Sequence, residues 1–448
     1  MRRVLFVNAV DPVSEIQNRY RPLWPAYLVA AIEKSLGQGK IVFKFMTNSF
    51  KKEIQNYRPD VVGISAVSQN YNYAKQYAHM AKKQGLKVVV GGIHISCIPE
   101  SLTEDMDIGC LGEAEDTFAA LMQLYLDTGS FPVDQLERIE GIIFWHKGVR
   151  RQTPDRKLLT QEQIIRPKRS AIGYQRHDYM FTSRGCPYNC VFCSSSRYWE
   201  KVRYTPTTLV LEEIRELIDH GVRMISFYDD LFIANKKRFK ELSNAIVARG
   251  LHEKVQFSCS CRANALDEET VERLTSMNIV SIGMGLESGS ERILKYLKGN
   301  CTLKDNYSVI NMLKDAGIQV NASFIIGAPD ETEAEIMQTY NFVKKSRIDF
   351  FDIYLLTPYP GTPVWLEAMK INLVSNDMDW DRLNVNLVPD DPQSIILSQN
   401  LDRKKLASLY RKFKRLRLFK IIRALPGSPW IYDLPRVCYG ILKEKLKR

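Results

Sequence analysis

The sequence predicts an α/β protein. A Rossmann-like domain with a parallel sheet is followed by a partial (βα)6 TIM-type barrel and a helical C-terminal tail. Short apolar strands alternate with helices over residues 1–125 and again over residues 175–375, which is typical of parallel βαβ units. The tail differs, because residues 401–448 contain 15 Lys or Arg and only 3 Asp or Glu. We expect four regions: a sheet domain (1–130), a linker with a hairpin (131–174), the barrel (175–375) and a basic helical region (376–448).

The first region alternates strands with helices. The predicted strands are Val4–Val7, Ile41–Phe45, Asp60–Ala66 and Val88–Val90. The predicted helices are Pro25–Leu36, Tyr71–Gln84 and Glu113–Leu126. Ligands of such sheets bind at the carboxyl ends of the strands. Beyond this domain, residues 140–150 predict a hairpin with its turn at His146–Gly148. Residues 150–169 are polar and basic and predict an exposed linker.

Residues 175–375 repeat the strand-then-helix order. The predicted strands are Tyr179–Thr182, Met224–Tyr228, Val255–Cys259, Ser281–Gly285, Val320–Ile326 and Phe351–Leu356. The predicted helices include Leu209–His220, Lys236–Arg249, Glu268–Met277 and Leu303–Ala316. Six such units are too few for a closed eight-stranded barrel, so the predicted barrel is partial. Active sites of barrels lie at the C-terminal ends of the strands.

The composition is typical of a globular cytoplasmic protein. Of the 448 residues, 45% are hydrophobic, enough for two or three domains with substantial cores. The N-terminus lacks the pattern of a signal peptide, and no segment approaches the roughly 20 apolar residues of a membrane span. The nine cysteines are therefore expected to be reduced. Before residue 401 the chain has 48 basic and 48 acidic residues, so an anionic partner is expected only at the tail.

Three cysteines in one loop carry the strongest chemical signal. Cys186, Cys190 and Cys193 follow the first barrel strand with the spacing C-x3-C-x2-C. Iron–sulfur clusters are held by Cys thiolates at such short spacings, usually four of them. The next cysteine downstream is Cys259, so a four-iron cluster here keeps one iron open, as catalytic metal centres do. The alternative is a zinc knuckle completed by a distant His or Cys.

This loop resembles that of the radical S-adenosylmethionine (SAM) enzymes, whose signature C-x3-C-x-aromatic-C has Phe192 at its aromatic position. The resemblance implies that SAM binds the open iron. It also implies that one electron from the cluster cleaves SAM to a 5′-deoxyadenosyl radical, which abstracts hydrogen from the substrate. Cofactors of this kind carry the chemistry, and the protein positions and shields them.

Later strand ends resemble the SAM-binding motifs of that family. Tyr228, Asp229 and Asp230 stand at the end of the second predicted barrel strand. The two aspartates resemble the Asp-Asp variant of the motif that holds the SAM amino group, which makes Tyr228 and Asp229 candidates to contact SAM. The alternative for the aspartates is a helix N-cap. Arg262 is a candidate partner of the SAM carboxylate, or of a structural ion pair. The other candidates for SAM binding come from two motifs. One is a Gly-x-Glu-Ser-Gly turn, and the other is an adenine-binding pattern that has Ser in place of its first Gly and Asp330 in place of its Glu. These candidates are Glu287, Ser288, Ser323, Ile325 and Gly327.

The N-terminal region resembles the cobalamin-binding domain of the cobalamin-dependent radical SAM group, through Pro59–Ser65, Gly91–His94 and Gly112–Glu115. The resemblance implies that cobalamin binds at Ser65, Ser68, Gln69, Asn70, Gly91, Gly92, His94, Gly112 and Glu113. Of these, Ser68, Gln69 and Asn70 are candidates for the lower face of the corrin ring. Residues 8–14 lack the His that ligates cobalt in many cobalamin proteins. Its absence is common in the radical SAM group, and it also fits a domain that has lost cobalamin.

Residues 402–425 predict a basic amphipathic helix. Such a helix can lie on an anionic membrane surface, with Trp430, Tyr432 and Tyr439 at the level of the headgroups. The alternative is a helix docked on the barrel with a solvated basic face. No nucleic acid is expected as a partner, because no recognised reading module accompanies the charge.

The sequence thus predicts a cobalamin-dependent radical SAM enzyme. The resemblance implies methylation of an unactivated carbon, with methylcobalamin donating the methyl group to a substrate radical. The alternatives are oxidative cyclisation or rearrangement without net methylation, a lipid- or isoprenoid-modifying enzyme at the membrane surface, and a non-catalytic corrinoid- or metal-binding module. The expected cofactors are a 4Fe–4S cluster, SAM and cobalamin. The expected partners are a small-molecule or lipid substrate and a reductase, flavodoxin or ferredoxin as electron donor.

Overall fold

The computed structural model of the chain describes residues 1–12, 14–47, 49–383 and 388–424. They form two compact units, one of Met1–Tyr174 with Val374–Asp381, the other of Gln175–Leu373 with the described residues from Arg382 onward. In the part of the chain that the structure describes, no helix combines the length and apolarity that crossing a bilayer requires.

The first unit contains a mixed sheet flanked by helices. Its strands are β1 (Arg2–Ala9), β2 (Ile41–Phe45), β3 (Val61–Ala66), β4 (Lys87–Gly91), β5 (Ile108–Cys110), β6 (Ile142–His146) and β7 (Val149–Gln152). Its helices are α1 (Glu15–Asn18), α2 (Trp24–Leu36), α3 (Phe50–Tyr57), α4 (Tyr71–Lys82), α5 (Ile93–Cys97), α6 (Glu115–Thr128) and α7 (Val133–Leu136).

The sheet has the order β2-β1-β3-β4-β5-β6-β7. Strands β1 to β5 pair in parallel, which confirms the predicted strands and their connection by helices. Strand β1 is buried from Val4 to Val7, as expected of an apolar strand covered on both faces. The predicted hairpin forms β6 and β7, but it extends this sheet as an antiparallel edge.

The prediction of an exposed linker over residues 150–169 is partly wrong. Within residues 150–169 the side chains of Leu159, Ile164 and Arg169 are buried. Leu159 is also tied to the sheet domain, because its N–H donates to Glu113 over 2.8 Å. This segment therefore packs as part of the first unit and does not run free over its surface.

The second unit is the predicted partial barrel. Its strands are β8 (His177–Met180), β9 (Ser183–Arg184), β10 (Arg203–Tyr204), β11 (Met224–Phe227), β12 (Gln256–Cys261), β13 (Ile279–Glu287), β14 (Gln319–Ile326) and β15 (Phe350–Leu355). Its helices are α8 (Ser195–Trp199), α9 (Thr207–Asp219), α10 (Lys236–Ala248), α11 (Glu268–Ser276), α12 (Glu291–Lys298), α13 (Leu303–Asp315), α14 (Glu333–Lys345), α15 (Pro363–Lys370) and α16 (Arg403–Ala424). Six strands pair in parallel in the order β8-β11-β12-β13-β14-β15, and β9 and β10 form a small antiparallel pair.

Side-chain alternation gives the six-stranded sheet two different faces. Phe324 on β14 and Phe351 on β15 pack against aromatic rings of helices, with centroids 6.0 Å from Phe342 and 6.4 Å from Phe413. Successive strand residues point to opposite faces, so Asn321 on β14 lies on the other face. That face is the concave interior of the barrel, and it is the face on which small and polar side chains collect.

Helix α16 is docked on the barrel, which confirms the docked alternative for this basic helix. Phe413 is fully buried and lies 5.5 Å from Tyr340 on α14, centroid to centroid. Two basic side chains also bind the barrel: Arg417 pairs with Asp352 at 2.8 Å, and Lys420 donates to the Ser346 and Ile348 carbonyls. The predicted membrane-facing aromatic residues (Trp430, Tyr432 and Tyr439) lie outside the described residues.

Candidate active site

The three cysteines lie in a loop that begins at the carboxyl end of β8 and β9. All three are free thiols, Cys190 buried and the other two half-buried. Burial raises the pKa of the Cys186 thiol and raises that of Cys193 to about 11, so binding iron must displace protons. No three His, Cys, Asp or Glu side chains among the described residues surround a position for a single ion. Each thiolate of a four-iron cluster binds its own iron, so these three cysteines would leave the fourth iron open.

Two aspartates at the end of β11 shape the start of the cysteine loop. The Asp229 carboxylate accepts hydrogen bonds from the Thr182 N–H and hydroxyl, both at 2.6 Å, and from the Ser183 N–H at 3.0 Å. Asp230 accepts from the Gly185 N–H at 3.1 Å. Burial raises the pKa of Asp229 to about 6.

The N-cap alternative for this pair is wrong. Helix α10 is capped by Asn235, which accepts from the Arg238 N–H. The two aspartates are therefore a clamp on the loop, and a contact of Asp229 with SAM stays a prediction. The neighbouring Tyr228 is 55% exposed, and its contact with SAM also stays a prediction.

Arg262, at the end of β12, is buried against the cysteine loop. Its Nη1 donates to Cys190 Sγ at 3.4 Å, and its guanidinium lies 3.9 Å from the centroid of the Tyr188 ring. Its Nη2 donates to the Lys298 carbonyl at 2.7 Å. Arg262 thus joins the loop to the end of α12 and puts a fixed positive charge beside one thiol.

Glu287 ends β13 in an ion pair with Lys298. The Lys298 Nζ lies 3.4 Å from Glu287 Oε1, and the side chains are only 8% and 6% exposed. Glu287 has a φ of 59°, and its carboxylate folds back over Gly285, where a Cβ would lie 2.1 Å from Oε1. Burial raises the pKa of Glu287, while Lys298 and Arg262 oppose that rise.

The remaining SAM candidates are buried or half-buried. Ser288 is fully buried, and its hydroxyl lies 3.1 Å from that of Thr339 on α14. Ser323 and Ile325 lie on the interior face of β14, and the following Gly327 has a φ of 85°. Phe192, in the cysteine loop, is half-buried. Contact of these residues with SAM stays a prediction.

The predicted acid of the adenine-binding pattern, Asp330, is followed by a buried glutamate. Asp330 is exposed and pairs with Arg292 at 2.6 Å. Glu331 is fully buried, and its carboxylate accepts from the Gly327 N–H at 2.6 Å and the Ala328 N–H at 3.2 Å. Burial raises the pKa of Glu331 to about 7. The sequence signal was available, since a Glu follows the Asp directly.

The sequence interpretation missed a polar layer on the barrel interior. Ser226 and Ser258 share a hydrogen bond of 2.7 Å, and Asn321 donates to Ser281 at 2.8 Å. Gln319 is only 7% exposed, and its Oε1 has no hydrogen-bond partner. A ligand donor would satisfy this oxygen. The signal was a polar residue at every second position of β12 and β14.

In the first unit the cobalamin candidates meet at the carboxyl ends of β3, β4 and β5. Gly92, at φ 100°, approaches β3 so closely that a Cβ would lie 2.6 Å from the Ala66 oxygen and 3.0 Å from Ser65 Oγ. Three other cobalamin candidates form hydrogen bonds within the first unit: Asn70 donates to Gln17, the Gly112 N–H donates to Ser96, and Glu113 accepts from the Leu159 N–H. Gly91, next to Gly92, and Gln69 are half-buried.

His94 is enclosed by aromatic rings. The centroid of its ring is 3.8 Å from that of Tyr71 and 4.4 Å from that of Trp380, which lies between α15 and α16. His94 Nδ1 lies 3.0 Å from Ser68 Oγ, and Nε2 is buried with no hydrogen-bond partner. Burial lowers the pKa of His94 to about 3, so the ring is neutral. An unpaired nitrogen beside a glycine-lined edge fits a bulky ligand with polar groups, as cobalamin is.

Comparisons with known sequences cover both units. A sequence model described as the radical SAM superfamily matches residues 180–343, and one described as the B12 binding domain matches residues 12–122. An uncharacterised methyltransferase of Pyrococcus horikoshii is 33% identical in an alignment of 344 positions, and the match covers 73% of each chain. The anaerobic magnesium-protoporphyrin IX monomethyl ester cyclase of Cereibacter sphaeroides is 26% identical in an alignment of 453 positions, gaps included, and the match covers 96% of this chain and 72% of the cyclase.

A solved structure shares the fold. The radical S-adenosylmethionine methyltransferase TsrM from Kitasatospora setae, solved with cobalamin and a [4Fe–4S] cluster, matches with a TM-score of 0.68 at 17% identity. The match covers 83% of this chain and 75% of TsrM.

Proposed function

The chain belongs to the radical SAM superfamily and carries a B12-binding domain, and we propose that the residues described above hold the cofactors of a carbon methyltransferase. The predicted family, fold class, enzyme class and cofactors are confirmed: this is a radical SAM enzyme of the methyltransferase type, with a 4Fe–4S cluster, SAM and cobalamin. Bound together, these cofactors supply reductive cleavage of SAM and delivery of a methyl group to carbon.

The cysteine loop is the observation that carries the proposal. Cys186, Cys190 and Cys193 are the cluster ligands, supported by their free thiols and by the carboxylates that shape the loop. The residues proposed to hold SAM are Phe192, Tyr228, Asp229, Arg262, Glu287, Ser288, Ser323, Ile325 and Gly327. The residues proposed to hold cobalamin are Ser65, Ser68, Gln69, Asn70, Gly91, Gly92, His94, Gly112 and Glu113.

The barrel interior is the proposed site of a small-molecule substrate. The Asn321 side-chain oxygen has no hydrogen-bond partner and offers a hydrogen bond to it. Gly283 stands opposite Asn321 on the adjacent strand and leaves room beside it. Because polar pockets discriminate by the partners they leave unpaired, a substrate bearing hydrogen-bond donors is favoured over a hydrocarbon.

Anaerobic purification with iron and cobalamin supplied tests the proposal. We expect four irons and one corrin per chain, and 5′-deoxyadenosine after reduction with SAM present. The Cys190→Ala variant should lose the iron and the deoxyadenosine. The matched control is Cys97→Ala, a half-buried thiol outside the loop, which should keep both. A Cys190→Ala protein that retains four irons contradicts the assignment.

Oxidative cyclisation is the second candidate, favoured by the cyclase of Cereibacter sphaeroides that aligns with 96% of this chain. Methyl-labelled SAM separates the two reactions. A methyltransferase moves the label into product, whereas a cyclase forms deoxyadenosine and leaves the label with methionine.

The end of α16 is a proposed contact with an anionic membrane surface. Leu418, Phe419 and Ile422 are 59%, 62% and 64% exposed beside exposed Arg415 and Arg423, a combination that favours such surfaces. Flotation with vesicles containing phosphatidylserine should carry the protein, and replacing the three apolar residues with Ser should abolish this. Equal flotation dismisses the contact. The electron donor is proposed to be a flavodoxin, a ferredoxin or their reductase, testable by deoxyadenosine formation with each.

A further inference from the structure

We propose that Lys298 is a positioning residue of the SAM site, which holds Glu287 ionised and correctly placed while the same helix turn supports the cysteine loop. The inference rests on the proposed function, because it assigns a role to the neighbours of the proposed SAM ligand Glu287. Nothing in the motifs that resemble the family points to Lys298, which stands on α12 eleven residues after that acid.

The Lys298 side chain has two partners on β13. Its Nζ lies 3.4 Å from Glu287 Oε1 and donates to the Gly285 carbonyl. Glu287 occupies the left-handed region at φ 59°, a strained conformation for a non-glycine residue that persists only where its surroundings enforce it. The ammonium bridges both sides of this backward turn and therefore stabilises it.

The backbone of the same helix turn reaches the cysteine loop. The Lys298 carbonyl accepts from Arg262 Nη2 at 2.7 Å, and Arg262 Nη1 donates to Cys190 Sγ at 3.4 Å. One residue earlier, the Leu297 carbonyl accepts from the Val191 N–H at 3.1 Å. The last carbonyls of a helix have no intrahelical partner, so here they are satisfied by the loop and by the arginine that contacts it. Lys298, at the end of α12, thus links the proposed SAM ligand Glu287 to the cysteine loop.

Stability alone does not account for this ion pair. Replacing a buried ion pair with apolar residues of similar size is often neutral or stabilising, whereas removing one partner leaves a costly unpaired charge. An ionised carboxylate accepts hydrogen bonds from ammonium or hydroxyl groups, which SAM carries, and a neutral carboxyl does so more weakly. Keeping Glu287 ionised is therefore the function that the geometry assigns to Lys298.

The test is SAM binding to the reconstituted full-length protein. The reduced cluster is observed by electron paramagnetic resonance (EPR) with and without SAM, and the SAM dissociation constant is measured by titration. We expect Lys298→Met to retain four irons, to bind SAM about tenfold more weakly, and to show a smaller SAM-induced change of the EPR signal. Lys298→Arg should restore binding to within about threefold of wild type. The control Lys295→Met removes an exposed lysine of the same helix and should bind like wild type.

If Lys298→Met does not fold, the double variant Glu287→Gln/Lys298→Met is tested in its place. It removes both charges of the ion pair and so leaves no unpaired buried charge. The proposal expects it to fold, to hold four irons and to bind SAM as weakly as Lys298→Met. Wild-type SAM affinity in either variant overturns the role of Lys298. A wild-type protein without a SAM-dependent EPR change overturns the proposed function instead, whatever the variants do.

Discussion

Gly289 has no room for a side chain. A Cβ at this position would lie 2.7 Å from Phe342 Cβ, 2.7 Å from Thr339 Cα and 2.8 Å from the Gln338 oxygen. Two of these atoms are backbone of α14, so the helix itself must move outward. Overpacking of this kind typically costs about 1–3 kcal/mol, offset by about 0.4–1 kcal/mol because alanine lowers the entropy of the unfolded chain. We expect Gly289→Ala to be destabilised by about 1–2 kcal/mol.

Urea unfolding followed by circular dichroism measures this change, with Gly283→Ala as the matched control. Gly283 lies on β13, six residues before Gly289, and its added Cβ would lie 3.4 Å from Ser260 Oγ. This is close to ordinary contact, so the control should be neutral or slightly stabilised. Because Gly289 follows Glu287 by two residues, Gly289→Ala should also weaken SAM binding. A Gly289→Ala protein as stable as wild type, or an equal loss in both variants, refutes the reasoning.

Three further predictions concern buried polar and aromatic groups. Asp229→Ala leaves two backbone N–H groups of the loop without an acceptor, at about 1–3 kcal/mol each, and should lower the iron content, whereas Asp229→Asn should retain most of it. The pKa of Glu331 is raised to about 7 in the folded chain, so the unfolded chain loses its proton first and stability falls as pH rises from about 4.5 to 7. Glu331→Gln should remove about 3 kcal/mol of that fall, measured by urea unfolding at pH 5 and pH 8. Trp380→Ala should destabilise the first unit by about 3–5 kcal/mol and let the pKa of His94 rise from about 3 toward its ordinary value, seen by NMR titration.

The fold was predictable where an element has its own hydrophobic pattern. All six barrel strands were predicted, and β14 was placed within one residue of its observed start. Strand β5 was not predicted, because three residues, Ile108–Cys110, are too few to show a period. Helices α12 and α14 were not predicted either, although Ser290 and Thr332 are N-caps whose side chains accept from the backbone and are a recognisable start signal.

The site was predictable where chemistry depends on spacing along the chain. The three cysteines are close in sequence, so their loop was evident without a fold. The partners of Asp229 were not evident, because Thr182 lies 47 residues earlier and meets it only through parallel pairing of β8 with β11. The same holds for Lys298, whose bond to Arg262 spans 36 residues.

The sequence by itself determined the family, the cofactor chemistry and the order of strands and helices, because these depend on residue types at short, regular spacings. The tertiary structure alone decided which polar side chain each buried charge meets. It turned the aspartates into a loop clamp and docked the basic helix on the barrel, and it buried Glu331 against the Gly327 N–H while leaving Asp330 exposed. Such pairings follow from which strand ends and helix ends converge in space, and the cost of leaving a buried polar group unpaired selects them only after the chain has packed.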